Sequence, residues 1–209
     1  MKYLLLFIFI FSLFCLIPTS CDSEPEIITE TITELDTIFI TTVDSVFINQ
    51  TDTIIINAND TDATTLILVR HAEKISTGTD PELTEEGIVR SNELTRILSQ
   101  MELNAVYSSD FNRTKETAEP TALAQNLNID IYNASNLVSL KNQVLNNHKN
   151  GKILVVGHSN TTPDFINLLL QENVLNDIPE SEYDNLFILT LYEEGNGELL
   201  ELKYGEPSN

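Results

Sequence analysis

Twice in this chain an unbroken apolar run of strand length stops at a histidine. Thr65-Leu66-Ile67-Leu68-Val69 runs into Arg70-His71, and Lys152-Ile153-Leu154-Val155-Val156 runs into Gly157-His158. A strand with one wet face alternates apolar and polar residues, whereas a continuous run needs cover on both faces. Strands of that kind lie in a sheet held between helices, which restricts the chain to an α/β architecture.

The sequence between and around these runs supplies the helices. Thr84 caps a predicted helix over 85–101, with Glu85 and Glu86 near its positive end and Ile88, Leu94, Ile97, Leu98 and Met101 near helical spacing. A short strand over 105–107 leads into Ser108-Ser109, followed by a helix over 112–127, a strand over 129–132 and a helix over 138–149. A helix over 162–171 follows the second apolar run. Phe187–Tyr192 and Leu199–Tyr204 flank Glu194-Gly195-Asn196-Gly197, a hairpin signal. The expectation for residues 64–209 is a three-layer α/β/α sandwich with a mainly parallel sheet and an antiparallel edge.

Residues 1–20 read as a signal peptide: Lys2 is followed by a nearly unbroken apolar run from Tyr3 to Ile17. That run is shorter than the roughly 17–25 residues a spanning helix needs. Pro18-Thr19-Ser20-Cys21 resembles a bacterial lipobox, so Cys21 is expected to be lipidated; ordinary cleavage, or retention as an anchor, is the alternative. Cys15 would leave with the signal, and the mature chain would have no partner for a disulfide. The expected place is the bacterial cell envelope, with the protein held outside the cytoplasm by its lipid. Residues 21–63 form an acidic Thr/Ile-rich stalk or linker. Asp36-Thr37-Ile38-Phe39-Ile40, Asp44-Ser45-Val46-Phe47-Ile48 and Asp52-Thr53-Ile54-Ile55-Ile56 repeat there every 8 residues. β-Branched residues at this density favour extended chain, either a stalk whose triplets pair or a disordered tether.

The formal net charge of −21 disfavours nucleic acid as a partner, since that needs a basic footprint. An anionic ligand would need a local cluster of cations, and Arg70 and Arg113 are two of the four arginines. In open α/β sheets ligands bind beyond the carboxyl ends of the strands. His71, Ser108-Ser109 and His158 each follow a predicted strand, so one rim of one sheet can gather them. The helices that follow would aim backbone N–H groups at the same spot, and arginine suits a phosphate through its planar fork.

Arg70-His71-Ala72-Glu73, Arg113 with Thr114 and Thr117-Ala118, and Gly157-His158-Ser159-Asn160 together resemble the histidine phosphatase superfamily, also called the phosphoglycerate mutase-like family. The likeness spans most of residues 64–204 and takes in Leu83-Thr84-Glu85-Glu86-Gly87. The resemblance implies the phosphoglycerate mutase-like fold and a phosphatase. His71 would attack phosphorus to form a covalent phosphohistidine, while Arg70, Arg113 and His158 bind the phosphoryl oxygens. Asn160, Ser109 and Glu73 are expected to add substrate contacts. Helix capping, a turn role and orientation of neighbouring groups are their respective plainer alternatives. No metal or other cofactor is implied. His148 lies in a polar stretch without a motif and is expected at the surface.

The donor of a proton to the leaving alcohol is not apparent. Glu73, Asp80 and Asp164 are candidates, while Glu116 and Glu119 are expected to face solvent. Arg113 and His158 are 158 − 113 = 45 residues apart, which leaves out the insert of the mutase branch and is similar to the short phosphohistidine phosphatase branch. The expected substrate is a small phosphomonoester or a phosphoprotein. The alternatives are a phosphohistidine protein phosphatase and a non-catalytic envelope lipoprotein that binds an anion in the same pocket.

Overall fold

A computed structural model describes residues 63–208 throughout and, in the preceding chain, only four short strands: β1 (Phe7–Ile8), β2 (Ile38–Phe39), β3 (Val46–Asn49) and β4 (Thr53–Ile56). β1 pairs antiparallel with β2, and β3 with β4 in the register Val46↔Ile56 through Asn49↔Thr53. The second and third copies of the stalk repeat are thus paired with each other. The rest of the predicted signal peptide and stalk, Cys21 included, lies outside the described residues. The chain divides at Thr61/Asp62 into two compact units, and the site belongs to the second.

In that second unit, β5 (Thr64–Arg70), β6 (Ala105–Ser109), β7 (Ile129–Tyr132), β8 (Lys152–Gly157), β9 (Asn185–Glu193) and β10 (Asn196–Lys203) form one sheet in the order β10-β9-β5-β8-β6-β7. β5, β8, β6 and β7 run parallel. β9 adds antiparallel to β5, and β10 to β9 through the expected hairpin. The helices are α1 (Glu85–Leu98), α2 (Asn112–Ala124), α3 (Leu137–Asn147) and α4 (Thr161–Leu170). Among the described residues no helix is long and apolar enough to cross a membrane.

Alternate residues of each central strand point to opposite faces, and this sorts the core into two layers. Ile67, Val69, Val106, Leu154 and Val156 pack with Leu94 and Leu98 of α1 and Ala118 and Ala122 of α2. Leu66, Leu68, Tyr107, Ile153 and Val155 pack with Leu140 and Val144 of α3 and Phe165, Ile166 and Leu169 of α4. The two continuous apolar runs are therefore the two central strands, covered on both sides, and the fold is the predicted three-layer sandwich.

α1 departs from the expected pattern. It ends at Leu98, Ile88 is 52% exposed, and its buried stripe is Gly87, Arg90, Ser91, Leu94 and Leu98. A close approach sets this rotation. A Cβ at Gly87 would lie 2.2 Å from the carbonyl oxygen of Glu73, so only glycine lets the helix start against that backbone. The same carbonyl accepts from Thr84 N–H at 2.9 Å, and Thr84 Oγ1 caps the helix by accepting from Gly87 N–H at 3.2 Å. With Gly87 inward, Ile88 turns out and Arg90 turns in. His148 is half-buried rather than at the surface, its ring edge-on to Tyr107 with centroids 5.8 Å apart.

Candidate active site

From the central strand β5 the chain moves to β6 and β7 on one side, returns through β8, and ends in β9 and β10 on the other. β5, β8 and β6 are therefore neighbours, and their carboxyl ends deliver Arg70-His71, Gly157-His158 and Ser109 to one rim. Short bonds tie these loops. His71 N–H donates to Gly157 C=O at 3.0 Å, and Ala72 N–H donates to Thr117 Oγ1 at 2.9 Å. The Thr117 hydroxyl in turn donates to Arg113 C=O at 2.7 Å, so the first histidine loop is fixed to the turn of α2 that carries Arg113. Gly157 has no room for a side chain, since a Cβ there would meet Thr162 Oγ1 at 2.8 Å.

The protonation of the two histidines follows from their partners. His71 Nδ1 lies 2.8 Å from Ala72 C=O, which can only accept, so Nδ1 carries the proton and Nε2 holds a lone pair. The ring is 3% exposed. Burial, with the charges of Arg70 and Arg113 beside it, pushes the imidazole of His71 down to about 3. His158 Nδ1 faces Arg113 Nη2, a donor, at 3.4 Å, and its Nε2 lies 2.8 Å from Ser109 Oγ. Nε2–H therefore donates to Ser109, whose hydroxyl donates to Thr114 Oγ1 at 3.0 Å. Thr114 passes its own proton to the carbonyls of Ser109 and Phe111, both at 2.9 Å. Burial and then Arg113 and Arg70 push His158 down to about 4. The two rings stand edge to face with centroids 5.6 Å apart.

The two arginines are held from behind. Arg70 is 1% exposed, and its Nη1 donates to the carbonyls of Pro179, Glu180 and Glu182 at 2.9, 3.1 and 3.0 Å. Its guanidinium carbon lies 4.2 Å from the ring centre of Tyr183, and that of Arg113 lies 4.4 Å from the ring centre of Phe111. Asp80 Oδ1 lies 3.6 Å from Arg113 Nη1 and accepts from Asn112 N–H at 3.0 Å. The Nε atoms of both arginines are buried and make no hydrogen bond in the structure. Two buried, unmatched donors on two neighbouring cations suit an oxyanion that accepts from both.

Arg70, His71, Arg113 and His158 thus converge. Of the three expected substrate contacts, Ser109 and Glu73 are engaged by other partners. Ser109 is fully buried and holds His158 instead. Both Glu73 oxygens accept from Arg90, whose Nη1 and Nη2 also donate to the carbonyls of Tyr204 and Glu206 at 2.7 and 2.8 Å. This makes Glu73 an anchor for the carboxyl-terminal segment. Asn160 is exposed at the start of α4 and its side chain makes no capping bond. Among the candidate acids, Asp164 is exposed on α4 and lines a cavity with Asn167, Gln171 and Glu194, away from the quartet. Glu116 is not a solvent-facing residue, because it accepts from Leu83 N–H at 2.7 Å. Among the described residues no group of three or more His, Cys, Asp or Glu side chains could hold a metal ion.

Glu180 was not legible in the sequence. Its Oε2 accepts from Arg70 Nη2 at 2.7 Å and its Oε1 from the Ser159 hydroxyl at 2.6 Å. The hydrogen bond from Ser159 and the charge of Arg70 hold its carboxyl below the usual carboxylate range. It sits in a loop without periodicity or motif. Arg90 did leave a signal, since it falls on the stripe through Gly87, Leu94 and Leu98.

Residues 66–134 match the model of the histidine phosphatase superfamily (branch 1). No curated protein matches the sequence significantly. Solved structures with the same fold include the protein histidine phosphatase SixA complexed with tungstate, at 18% identity and a TM-score of 0.55 over 66% of this chain and 96% of that one. Mycobacterial glucosyl-3-phosphoglycerate phosphatase is similar too, at 12% identity and a TM-score of 0.55 over 68% of this chain and 98% of the other. The domain that carries the quartet has the phosphoglycerate mutase-like fold of the histidine phosphatases, and its first half matches that superfamily in sequence.

Proposed function

We propose that this protein is a phosphatase that hydrolyses a phosphomonoester through a covalent phosphohistidine on Nε2 of His71. The observation that carries this is the fixed tautomer: Nδ1 is spent on Ala72 C=O in a buried ring, which leaves Nε2 unprotonated among two arginines and a second histidine. The unmatched Nε groups of Arg70 and Arg113 would take phosphoryl oxygens, and SixA, of similar fold, is complexed with tungstate, a tetrahedral oxyanion. An entering dianion would draw Arg113 away from His158 Nδ1 and favour a proton there, which turns an acceptor into a donor. These fixed donors stabilise the charge that spreads over the equatorial oxygens during transfer. Water then cleaves the P–N bond and releases inorganic phosphate.

The test is turnover of 4-nitrophenyl phosphate by the purified full chain. His71→Ala should lose at least roughly a thousandfold in rate, and wild type should carry acid-labile phosphate on His71. Absence of both turnover and labelling across a panel of phosphates would leave only anion binding.

A phosphohistidine on a protein is the second substrate reading. Favouring it are the 45 residues from Arg113 to His158, filled by α2, β7, α3 and β8 with no long insert over the site. A preference for a phosphohistidine peptide over small esters would decide for it. The signal peptide 1–20 and Cys21 support a further proposal, that the enzyme works outside the cytoplasm on a lipid anchor. Cys21→Ser should release it from membranes, and continued binding would overturn the anchor.

A further inference from the structure

The quartet explains how a phosphoryl group is held and attacked, but not where the leaving oxygen finds its proton. His71 lies at the floor of the site, 3% exposed. In-line displacement puts the leaving oxygen on the far side of phosphorus from Nε2, toward the open mouth. At that mouth stands Glu180, whose side chain is 76% exposed while its carboxylate is fixed at both oxygens.

Arg70 has little freedom in what it offers a ligand. Three loop carbonyls use Nη1, so the phosphoryl group must meet Nε and Nη2, and Nη2 already donates to Glu180. Substrate and carboxylate would then share one guanidinium. Two anions that close cannot both keep full charge, and one of them binds a proton. The charged groups that face Glu180 are Arg70 at the end of β5 and Lys74 beyond it, and the hydroxyl of Ser159 after β8 donates to it. Its carboxylate also acts on Arg113 and His158. In the free protein this cationic surround keeps Glu180 ionised, and a bound dianion offsets it.

We infer that Glu180 is the proton carrier of the site: it takes up a proton when a phosphoryl dianion joins it on Arg70, and delivers it to the leaving alcohol. The inference rests on the phosphatase reading above. As Nε2 of His71 bonds to phosphorus, the P–O bond to the alcohol breaks and its electron pair takes the proton from Glu180. The products are the free alcohol, phosphohistidine and a carboxylate. Water then attacks phosphorus, its proton passes to Glu180, and the P–N bond breaks to return the lone pair to Nε2. Neither step needs an oxidant or a metal.

Glu180→Gln preserves the local contacts, because the amide oxygen can accept from Arg70 and the amide N–H can donate to Ser159. The full chain, wild type and variant, would be compared on 4-nitrophenyl phosphate, whose leaving group needs no proton, and on an alkyl phosphate, whose leaving group does. The measure is kcat/KM, which reports phosphohistidine formation and not the later attack of water that both esters share. The variant should lose roughly 100-fold or more in it on the alkyl ester, and at least roughly tenfold less than that on the aryl ester. Wild type should also take up a proton on binding vanadate, seen as a buffer-dependent binding enthalpy, and the variant should not. An equal loss on both esters would make Glu180 a positioning residue for Arg70 and overturn the inference. Unchanged kcat with tighter phosphate binding would make it a competing anion and overturn it too. If wild type never labels His71, the phosphatase reading itself fails, a result that does not depend on the variant.

Discussion

Arg90 and Arg70 sit in two regions built alike. Each is an almost fully buried arginine paired with a glutamate, each also donates to backbone carbonyls of a distant segment, and each lies over a tyrosine ring. The difference is the carboxylate. Both oxygens of Glu73 are closed onto Arg90 and the side chain is 22% exposed, whereas Glu180 gives one oxygen to Arg70 and the other to Ser159 and is 76% exposed. The first pair welds the carboxyl-terminal segment to α1. The second leaves a carboxylate that water reaches, on a buried cation next to two neutral histidines. The same chemistry is structural when both partners are enclosed and available for exchange when one faces water.

The sharpest way to break this contrast is to remove each carboxylate in turn. Glu73→Ala leaves Arg90 buried without its counter-ion and should cost about 3–5 kcal/mol in urea denaturation. A loss no larger than that of Glu180→Ala would show that the two pairs are not different in kind.

The open region should also reveal itself in pH. His71 and His158 titrate near 3 and 4 in the folded protein, below the 6.5 of a free imidazole. The unfolded chain therefore binds protons that the folded one refuses. Their contribution to stability is complete above about 6.5, declines as pH falls through the window between 6.5 and the folded values, and is gone below it. Urea midpoints between pH 7 and 4 should fall less steeply in His158→Asn than in wild type. An unchanged slope would mean that His158 is not held neutral.

A smaller effect is expected behind the site. Ser109→Ala removes the acceptor of His158 Nε2–H and should lower kcat/KM about tenfold, or ~1.4 kcal/mol, with kcat taking most of the loss. A rise in KM alone would return Ser109 to the role of a substrate contact. The smallest change belongs to Glu180→Ala, which should alter stability by less than about 1 kcal/mol because the Glu180 side chain is largely in water and Arg70 keeps its three loop carbonyls.

How much was legible in advance depended on how local the signal is. The strands β5 and β8 announced themselves because cover on both faces demands continuous apolar sequence. The residues at their ends could be placed on one rim because parallel strands share a direction. The rotation of α1 was misjudged because counting apolar residues favours Ile88, while the contact of Gly87 with the Glu73 carbonyl outweighs one exposed isoleucine. Ser109, Glu73 and Glu116 look alike in sequence as polar residues near a motif. Only their partners separate a histidine clamp, an ion-pair anchor and a loop tie.

The sequence by itself determined the layered α/β fold, the order of its elements and the convergence of Arg70, His71, Arg113 and His158, since each depends on periodicity and on where a run stops. Tertiary structure alone decided which histidine nitrogen is free, which arginine is structural and which carboxylate stands at the mouth. Those outcomes rest on contacts between residues as far apart as Arg70 and Glu180, and no local pattern encodes a bond across 110 positions of chain.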